Sequence, residues 1–165
     1  MRKLILILSV CPILAVIPTI NINLTRNTGK IIIINKPKAT NKNIIDKLDY
    51  YAIKHNLDPI VFQEMIRKES RFNQYAIGDN GEARGLGQIQ NKWHKATCLL
   101  SDKELLDIDL NLDCSARILS KYLKEANNDY FTALSRYNGG YSNSKESKKY
   151  AKTILSKANQ LRQYA

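Results

Sequence analysis

Apolar residues from about position 44 onward recur at intervals of three and four, the spacing that places side chains on one face of a helix. The first such series lies behind Asn43, a suitable N-cap, and predicts a helix ending near His55 and Asn56. Its predicted apolar face comprises Ile44, Ile45, Leu48, Tyr51 and Ala52. Asp58 followed by Pro59 is typical of a helix start and predicts a second helix running to about Arg71.

The same periodicity continues toward the C-terminus. It predicts a long helix from Asp109 to Glu125 and two more near residues 129–137 and 147–161. The inward positions of the long helix are Leu112, Ala116, Leu119, Tyr122 and Leu123. A short helix or turn is expected between Leu86 and Trp93. The predicted fold class is therefore mainly α, with one domain over residues 43–165.

Glu69 completes the apolar face formed by Phe62, Met65 and Ile66 in the second predicted helix. A carboxyl group on such a face loses hydration of its charged form, so its pKa is expected to rise toward neutrality. The C-terminal end of the helix dipole acts in the same direction. These properties suit a general acid, although a carboxylate reaching into solvent at a helix end is the alternative. On the opposite side, Glu64 and Lys68 are expected to pair in solvent.

Residues 73–90, with the sequence NQYAIGDNGEARGLGQIQ, contain four glycines that permit tight turns and close backbone contacts. We expect this segment, the glycine loop, to fold back beside Glu69. A second flexible segment, YNGGYSNS at residues 137–144, combines tyrosines with asparagines. Such side chains suit sugar rings, whereas a core tyrosine followed by a helix stop is an equal alternative.

The N-terminus has the features of an export signal. Arg2 and Lys3 precede an apolar run extending to residue 20, which predicts a signal peptide or, if it is retained, a membrane anchor. Residues 21–42 are rich in Asn, Thr and Lys and are predicted to be a linker. The protein is therefore expected in the periplasm or cell envelope.

The 165-residue chain has a formal net charge of +11. Removing Arg2 and Lys3 with the signal would leave +9, which favours an anionic polymer as partner. Nucleic acid is disfavoured because the lysines lack the aromatic interleaving of a recognised binding motif and an exported protein rarely meets it. An anionic cell-wall polymer agrees with both the charge and the expected location.

Cys98 and Cys114 lie outside the signal and form an even pair in a compartment that permits oxidation. A disulfide is the favoured interpretation. The competing hypothesis, a metal site that also uses His94, has a spacing unlike established zinc patterns. No metal or cofactor is expected.

An ordered series of short motifs extends across residues 44–155: Leu57-Asp58-Pro59, Glu69-Ser70, Gly85-Leu86 with Gln88, Asn111, Tyr137-Asn138-Gly139-Gly140 and Tyr150. In order and spacing this series resembles the soluble lytic transglycosylase domain, a lysozyme-like family that cleaves bacterial peptidoglycan. The resemblance implies that Glu69 is the catalytic acid and Ser70 its neighbour, orienting it or the substrate. It also implies that Gln88 and Tyr137 lie in the substrate groove, with Asn138 and Tyr150 supporting the same cleft.

The chain departs from the family pattern at the glycine loop, where Gly87 replaces a common Met, and at Cys114, where a helix glycine is common. These departures concern subsite shape and loop size. The acid keeps its place in the series.

The resemblance implies non-hydrolytic cleavage of the bond between N-acetylmuramic acid and N-acetylglucosamine, giving a 1,6-anhydro product and opening local gaps in the wall. Two alternatives stay open. A hydrolytic muramidase would need a second carboxylate, for which Asp79 and Glu82 are candidates. A non-catalytic domain would bind peptidoglycan within a secretion or conjugation apparatus. The expected partner is the glycan strand, and a monomer is expected.

Overall fold

The computed structural model describes residues 41–164, so the predicted signal or anchor lies outside the described residues, as does the predicted linker up to residue 40. The described part is built mainly from helices, which confirms the predicted mainly α class. No helix within it is long and apolar enough to cross a membrane. Its helices are α1 Asn41–Lys54, α2 Pro59–Ser70, α3 Asn91–Cys98, α4 Ile108–Glu125, α5 Tyr130–Gly139 and α6 Lys145–Arg162.

The helix boundaries follow from local capping. Asp58 accepts a hydrogen bond from the Val61 amide at 3.1 Å, and Pro59 occupies the first helical position of α2, as the sequence predicted. Asp107, Asp129 and Ser144 cap the following long helices in the same way. Helix α1 begins at Asn41, two residues before the predicted start at Asn43.

Three very short strands lie in the glycine loop, at Ile77–Gly78 (β1), Ala83–Arg84 (β2) and Ile89–Gln90 (β3). They form an antiparallel sheet in the order β1-β2-β3. No sequence pattern predicted this sheet, whereas the short helix or turn expected between Leu86 and Trp93 is confirmed by a turn over residues 85–88 and by the start of α3 at Asn91. Two-residue strands are too short to show an alternating pattern.

The core lies where α2 meets α1 and α6, and where α4 meets α1 and α5. Phe62, Met65 and Ile66 are fully buried, which confirms the apolar face predicted for α2. The five inward positions predicted for α4 are also buried. The packing therefore fixes the direction in which the last turn of α2 presents Glu69.

The prediction for the other side of α2 was wrong. Glu64 is only 6% exposed, and its carboxylate accepts a hydrogen bond from the Arg67 guanidinium at 2.8 Å instead of pairing with Lys68. Positions three and four residues further along a helix are both within reach, so spacing alone does not choose between them. Arg67 and Lys68 on this side of the helix are exposed, so only Glu64 is withdrawn from solvent.

Candidate active site

Glu69 lies in the last turn of α2. Its pKa is raised to about 7, chiefly because burial penalises the charged carboxylate. The charge of Asp79 raises the pKa further, while a hydrogen bond from Tyr150 and the charge of Lys68 oppose the rise. A carboxyl group with this pKa can both donate and accept a proton near neutral pH.

Helix α2 stops directly after Glu69 and Ser70 because Arg71 adopts a left-handed conformation, with φ at 53°. Phe72 follows with φ at 62°. Two consecutive non-glycine residues in this region turn the chain sharply and end the helix. The turn leads the chain from the acid directly into the glycine loop.

Tyr150 is the closest described partner of the acid. It is buried on α6, and its hydroxyl donates a hydrogen bond to Oε1 of Glu69. The pKa of Tyr150 is raised well above its ordinary value by burial and by the neighbouring carboxylate, so the phenol stays protonated and remains a donor. Tyr150, which was expected to support the substrate groove, is therefore hydrogen-bonded to the acid directly.

The glycine loop is held by Asn111, a buried residue near the start of α4. Its Oδ1 accepts a hydrogen bond from the Gly87 amide at 2.8 Å, while its Nδ2 donates to the Leu105 carbonyl at 2.7 Å and the Arg84 carbonyl at 3.1 Å. One side chain therefore satisfies three backbone groups. The sequence motifs included Asn111 but indicated no role for it, although its position on the buried face of α4 was a usable signal.

Gly87 lies close to both α4 and α5. A Cβ atom added there would lie 1.9 Å from Oγ of Ser115 and 2.9 Å from the hydroxyl of Tyr137, so no larger residue fits without movement. The Tyr137 hydroxyl donates to the Gly87 carbonyl at 2.9 Å. Tyr137 is half-buried, and its pKa is raised by burial and by the charge of Glu69. Tyr137 therefore ties the loop to α5 near the acid.

Gln88 follows with a left-handed backbone, φ at 48°. Its Nε2 donates to the Gly85 carbonyl at 2.9 Å and to the Ala76 carbonyl at 3.2 Å. A Cβ atom at Gly78 would lie 2.3 Å from the Gln88 Oε1. The Gln88 side chain therefore stabilises the loop internally through these two hydrogen bonds.

The other two predicted site residues, Ser70 and Asn138, differ in their exposure to solvent. Ser70 is buried, and its hydroxyl donates to the Ile66 carbonyl at 3.4 Å, within its own helix. Asn138 is exposed near the end of α5. Ser70 therefore makes no described hydrogen bond to Glu69, while Asn138 is accessible to a ligand.

The two acids considered as second carboxylates differ in their surroundings. Asp79 has a left-handed backbone, accepts a hydrogen bond from the Gln90 amide group and influences the pKa of Glu69. Glu82 is exposed, as Asp79 is, and forms an ion pair with Lys92. Of the two, only Asp79 acts electrostatically on the acid.

A disulfide joins Cys98 at the end of α3 to Cys114 in α4, with 5.5 Å between the Cα atoms. It engages both thiols of the alternative metal site. Burial lowers the pKa of His94, the third member of that hypothesis. Within residues 41–164 there is no cluster of His, Cys, Asp or Glu that could hold a metal ion.

Comparison with known proteins supplies the context for this geometry. The sequence profile of the Transglycosylase SLT domain matches residues 47–160. No curated protein matches the chain. Among solved structures, an inactive mutant of the lytic transglycosylase Slt from Pseudomonas aeruginosa is similar, with 22% identity and a TM-score of 0.58. The match covers 68% of this chain and 23% of the other, and the shared fold confirms the lysozyme-like architecture predicted from sequence.

Proposed function

Because the chain belongs to the transglycosylase SLT domain family, we propose that it cleaves the β-1,4 bond between N-acetylmuramic acid and N-acetylglucosamine in peptidoglycan without water. The observation that carries the proposal is the half-buried carboxyl of Glu69, whose pKa is raised to about 7 beside Tyr150. At neutral pH about half of such groups are protonated, so one residue can serve first as acid and then as base. The family match supports a peptidoglycan-cleaving enzyme.

In the first step, protonated Glu69 donates its proton to the glycosidic oxygen while the bond from that oxygen to C1 of the muramic acid breaks. The N-acetyl carbonyl of the same sugar stabilises the positive charge that develops at C1. The released chain leaves with a hydroxyl group, and Glu69 is left ionised.

In the second step, the C6 hydroxyl of the muramic acid attacks C1 and forms the 1,6-anhydro ring. Its proton passes to the Glu69 carboxylate, which restores the starting acid. No water is consumed. A single carboxyl group is sufficient, in contrast to hydrolytic glycosidases, which usually use two carboxyl groups about 5 to 9.5 Å apart.

The surrounding residues position the reaction in this proposal. Tyr150 holds one oxygen of Glu69, which leaves the other oxygen for the substrate. Asn111 accepts a hydrogen bond from the Gly87 amide, and Tyr137 donates one to the Gly87 carbonyl. These bonds fix the loop against α4 and α5, which favours accurate alignment of the sugar.

Hydrolysis is the second candidate reaction, and Asp79 is the observation that favours it. Its carboxylate lies near enough to Glu69 to raise the pKa of that group. In a hydrolytic muramidase Asp79 would activate a water molecule or stabilise the cationic sugar. The product then carries a reducing end instead of an anhydro ring.

The deciding experiment is mass spectrometry of the soluble products formed when the full-length chain is incubated with purified peptidoglycan. We expect anhydromuropeptides, and we expect Glu69→Gln to reduce them by about 10²- to 10⁴-fold, the usual contribution of a general acid. Glu146→Gln, the same change at an exposed position on α6, is the matched control and should retain activity.

Each alternative predicts a different product pattern. Reducing-end products that disappear in Asp79→Asn would establish the hydrolase. A chain that binds peptidoglycan but releases no products would support a non-catalytic binding component. Undiminished cleavage by Glu69→Gln would remove the basis of the proposed mechanism.

We further propose that the protein acts outside the cytoplasm, since its proposed substrate is there and residues 1–20 resemble an export signal. The small catalytic domain suits local opening of the wall, in association with a secretion or conjugation apparatus. Fractionation of cells that express the full chain, with immunodetection of the chain and mass measurement of its N-terminus, tests the location and any cleavage near residue 20.

A further inference from the structure

The positive charge of the described domain is concentrated on its last helix. Residues 41–164 contain 20 basic and 15 acidic side chains. Helix α6 has six basic residues and one acidic residue, so the remainder of the described chain has 14 of each and is balanced. The excess charge of this domain is thus a local feature of α6 and is not spread over its surface.

Part of this charge lines a depression between α2 and α6, which we call the α2–α6 groove. Arg67 contributes from α2, and the other lining residues belong to α6. These are Lys149, Lys152, Thr153, Ser156, Lys157 and Gln160. No carboxylate is among the lining residues, so the groove combines four cations with three neutral polar side chains.

The cations of the groove differ in how they are held. Arg67 is fixed because Glu64, buried beneath it, accepts two hydrogen bonds from its guanidinium Nε, at 2.8 and 3.0 Å. Lys149, Lys152 and Lys157 form no salt bridge with any residue from 41 to 164. Lys157 donates one hydrogen bond, to the neutral Gln160 at 2.9 Å. The groove therefore keeps three lysine charges that no carboxylate in the described part of the chain neutralises.

A second basic depression, between α1 and α4, shows that this arrangement is not general. It is lined by His55, Arg117, Lys121 and Lys124, with Glu125 among them. There, Asp113 pairs with both His55 and Arg117. Internal pairing reduces the field that such a site presents to a ligand.

The α2–α6 groove lies away from the candidate active site. On α2, Arg67 precedes Glu69 by two positions and therefore points to the opposite side of the helix. On α6, Lys152 is likewise two positions from Tyr150, which faces the acid. Lys157 shares the face of Tyr150 but lies two turns, about 10 Å, further along the helix. Neither Glu69 nor Tyr150 lines the groove, so a ligand bound there need not contact the acid.

We propose that the α2–α6 groove binds an acidic segment of a partner protein. Lys149 and Lys157 are eight residues apart, or about 12 Å along the helix, which matches roughly four residues of an extended chain. The Ser156 hydroxyl and the Gln160 Nε2 offer donors, and the Thr153 oxygen, which donates to the Lys149 carbonyl, can still accept, so the groove offers the donors and acceptors that a peptide backbone needs. Carboxylates on alternate residues would face the lysines.

Other anionic partners fit the groove less well. The lining residues include no aromatic side chain on which a base could stack, and the one guanidinium, which would hold phosphate bidentately, is engaged by Glu64. The lining also lacks the large apolar side chains that insert into a membrane surface. Charge and hydrogen-bonding capacity together therefore favour a polypeptide.

The test measures binding of a fluorescein-labelled peptide of twelve alternating Glu and Ser residues to the full-length chain by fluorescence anisotropy. We expect saturable binding in about 50 mM salt that weakens several-fold near 0.2 M, because exposed charges are screened. Lys149→Glu with Lys152→Glu should weaken binding at least tenfold. Lys121→Glu with Lys124→Glu is the matched control, since it reverses two exposed lysines at the same spacing on α4, and should change binding less than twofold.

The outcomes separate the possible ligands. Equal weakening by both double variants would overturn the proposal, because it would mean binding by diffuse charge. Tighter binding of inorganic polyphosphate, a single-stranded oligonucleotide or anionic lipid vesicles than of the peptide would also overturn it. The readout requires no turnover, so it stands apart from the test of peptidoglycan cleavage.

Discussion

The hydroxyl of Tyr150 donates a hydrogen bond to the carboxyl of Glu69 across 81 positions of sequence. The bond connects α6 to the last turn of α2 and favours the ionised form of the acid, whereas burial favours the protonated form. The pKa of about 7 is the balance of these opposing effects, with Asp79 and Lys68 as smaller contributions of opposite sign.

The rate of cleavage should fall above neutral pH. Only protonated Glu69 can donate to the leaving oxygen, and its pKa is about 7, so kcat/KM is expected to drop about tenfold for each further pH unit. Measurement of kcat/KM from pH 5 to pH 9 on soluble glycan strands checks this. A flat profile between pH 6 and 9 would contradict the role of Glu69 as the acid.

Replacing Tyr150 by Phe removes the hydrogen bond that lowers the Glu69 pKa. The alkaline limb of the pH profile should therefore move to higher pH, and the rate near pH 6 should fall by about tenfold because the acid is less well positioned. Tyr51→Phe is the control, since it removes a hydroxyl-to-carboxylate bond of 3.2 Å to Asp109 instead. If neither Tyr150→Phe nor Tyr51→Phe shifted the alkaline limb of the pH profile, Tyr150 would have only a structural role.

The raised pKa of Glu69 should make the folded protein less stable at alkaline pH. Its pKa is about 7 in the folded chain and 4.5 as the reference value for the unfolded one, so the folded state binds more protons between these values and stability falls as pH rises. Glu69→Gln does not titrate and should therefore gain up to about 3 kcal/mol relative to the native chain by pH 8.

Urea unfolding of both chains at about pH 4.5 and pH 8 measures this difference. The advantage of Glu69→Gln should be small at the lower pH and large at the higher one. Glu146→Gln should show no such dependence. An advantage that is independent of pH would mean that the burial of Glu69 is not the cause.

Gly87→Ala tests the close packing behind the loop. The added Cβ would collide with Ser115, so we expect a loss of about 1 to 3 kcal/mol in the free energy of unfolding and at least tenfold in cleavage. At Gly81 nothing lies within 4 Å, and Gly81→Ala introduces only backbone strain at its φ of 97°. Comparison of the two variants by thermal unfolding and activity separates collision from strain. Equal activity of both would contradict the proposed bracing.

The disulfide should support the α3–α4 contact. Cys98 and Cys114 are 16 positions apart, and a closed loop of this length is expected to contribute roughly 3 kcal/mol in the chain-entropy model. Denaturation with and without dithiothreitol measures the contribution. The variant Cys98→Ser with Cys114→Ser should be less stable than the native chain, and dithiothreitol should not change its stability. If dithiothreitol left the stability of the native chain unchanged as well, the bond would be absent in solution.

The helices could be predicted because their signals are local. Asp58 and Pro59 start α2, and the buried stripe of α4 repeats regularly along 18 residues. The small sheet gave no such signal, since each strand has two residues. Glu64 was assigned to solvent for a related reason, since nothing in the spacing of α2 reveals that its carboxylate is buried and bound by Arg67.

The sequence by itself determined that this chain is mainly helical and that a carboxyl group stands at the end of an apolar stripe, because both follow from helical period. It also supplied the ordered motifs that indicated the family. Only the tertiary structure decided what surrounds the acid: Tyr150 from α6, Asp79 from the glycine loop, and the support of Gly87 by Asn111 and Tyr137. These groups are far apart in sequence, and their contacts depend on how the helices pack, which no local pattern encodes.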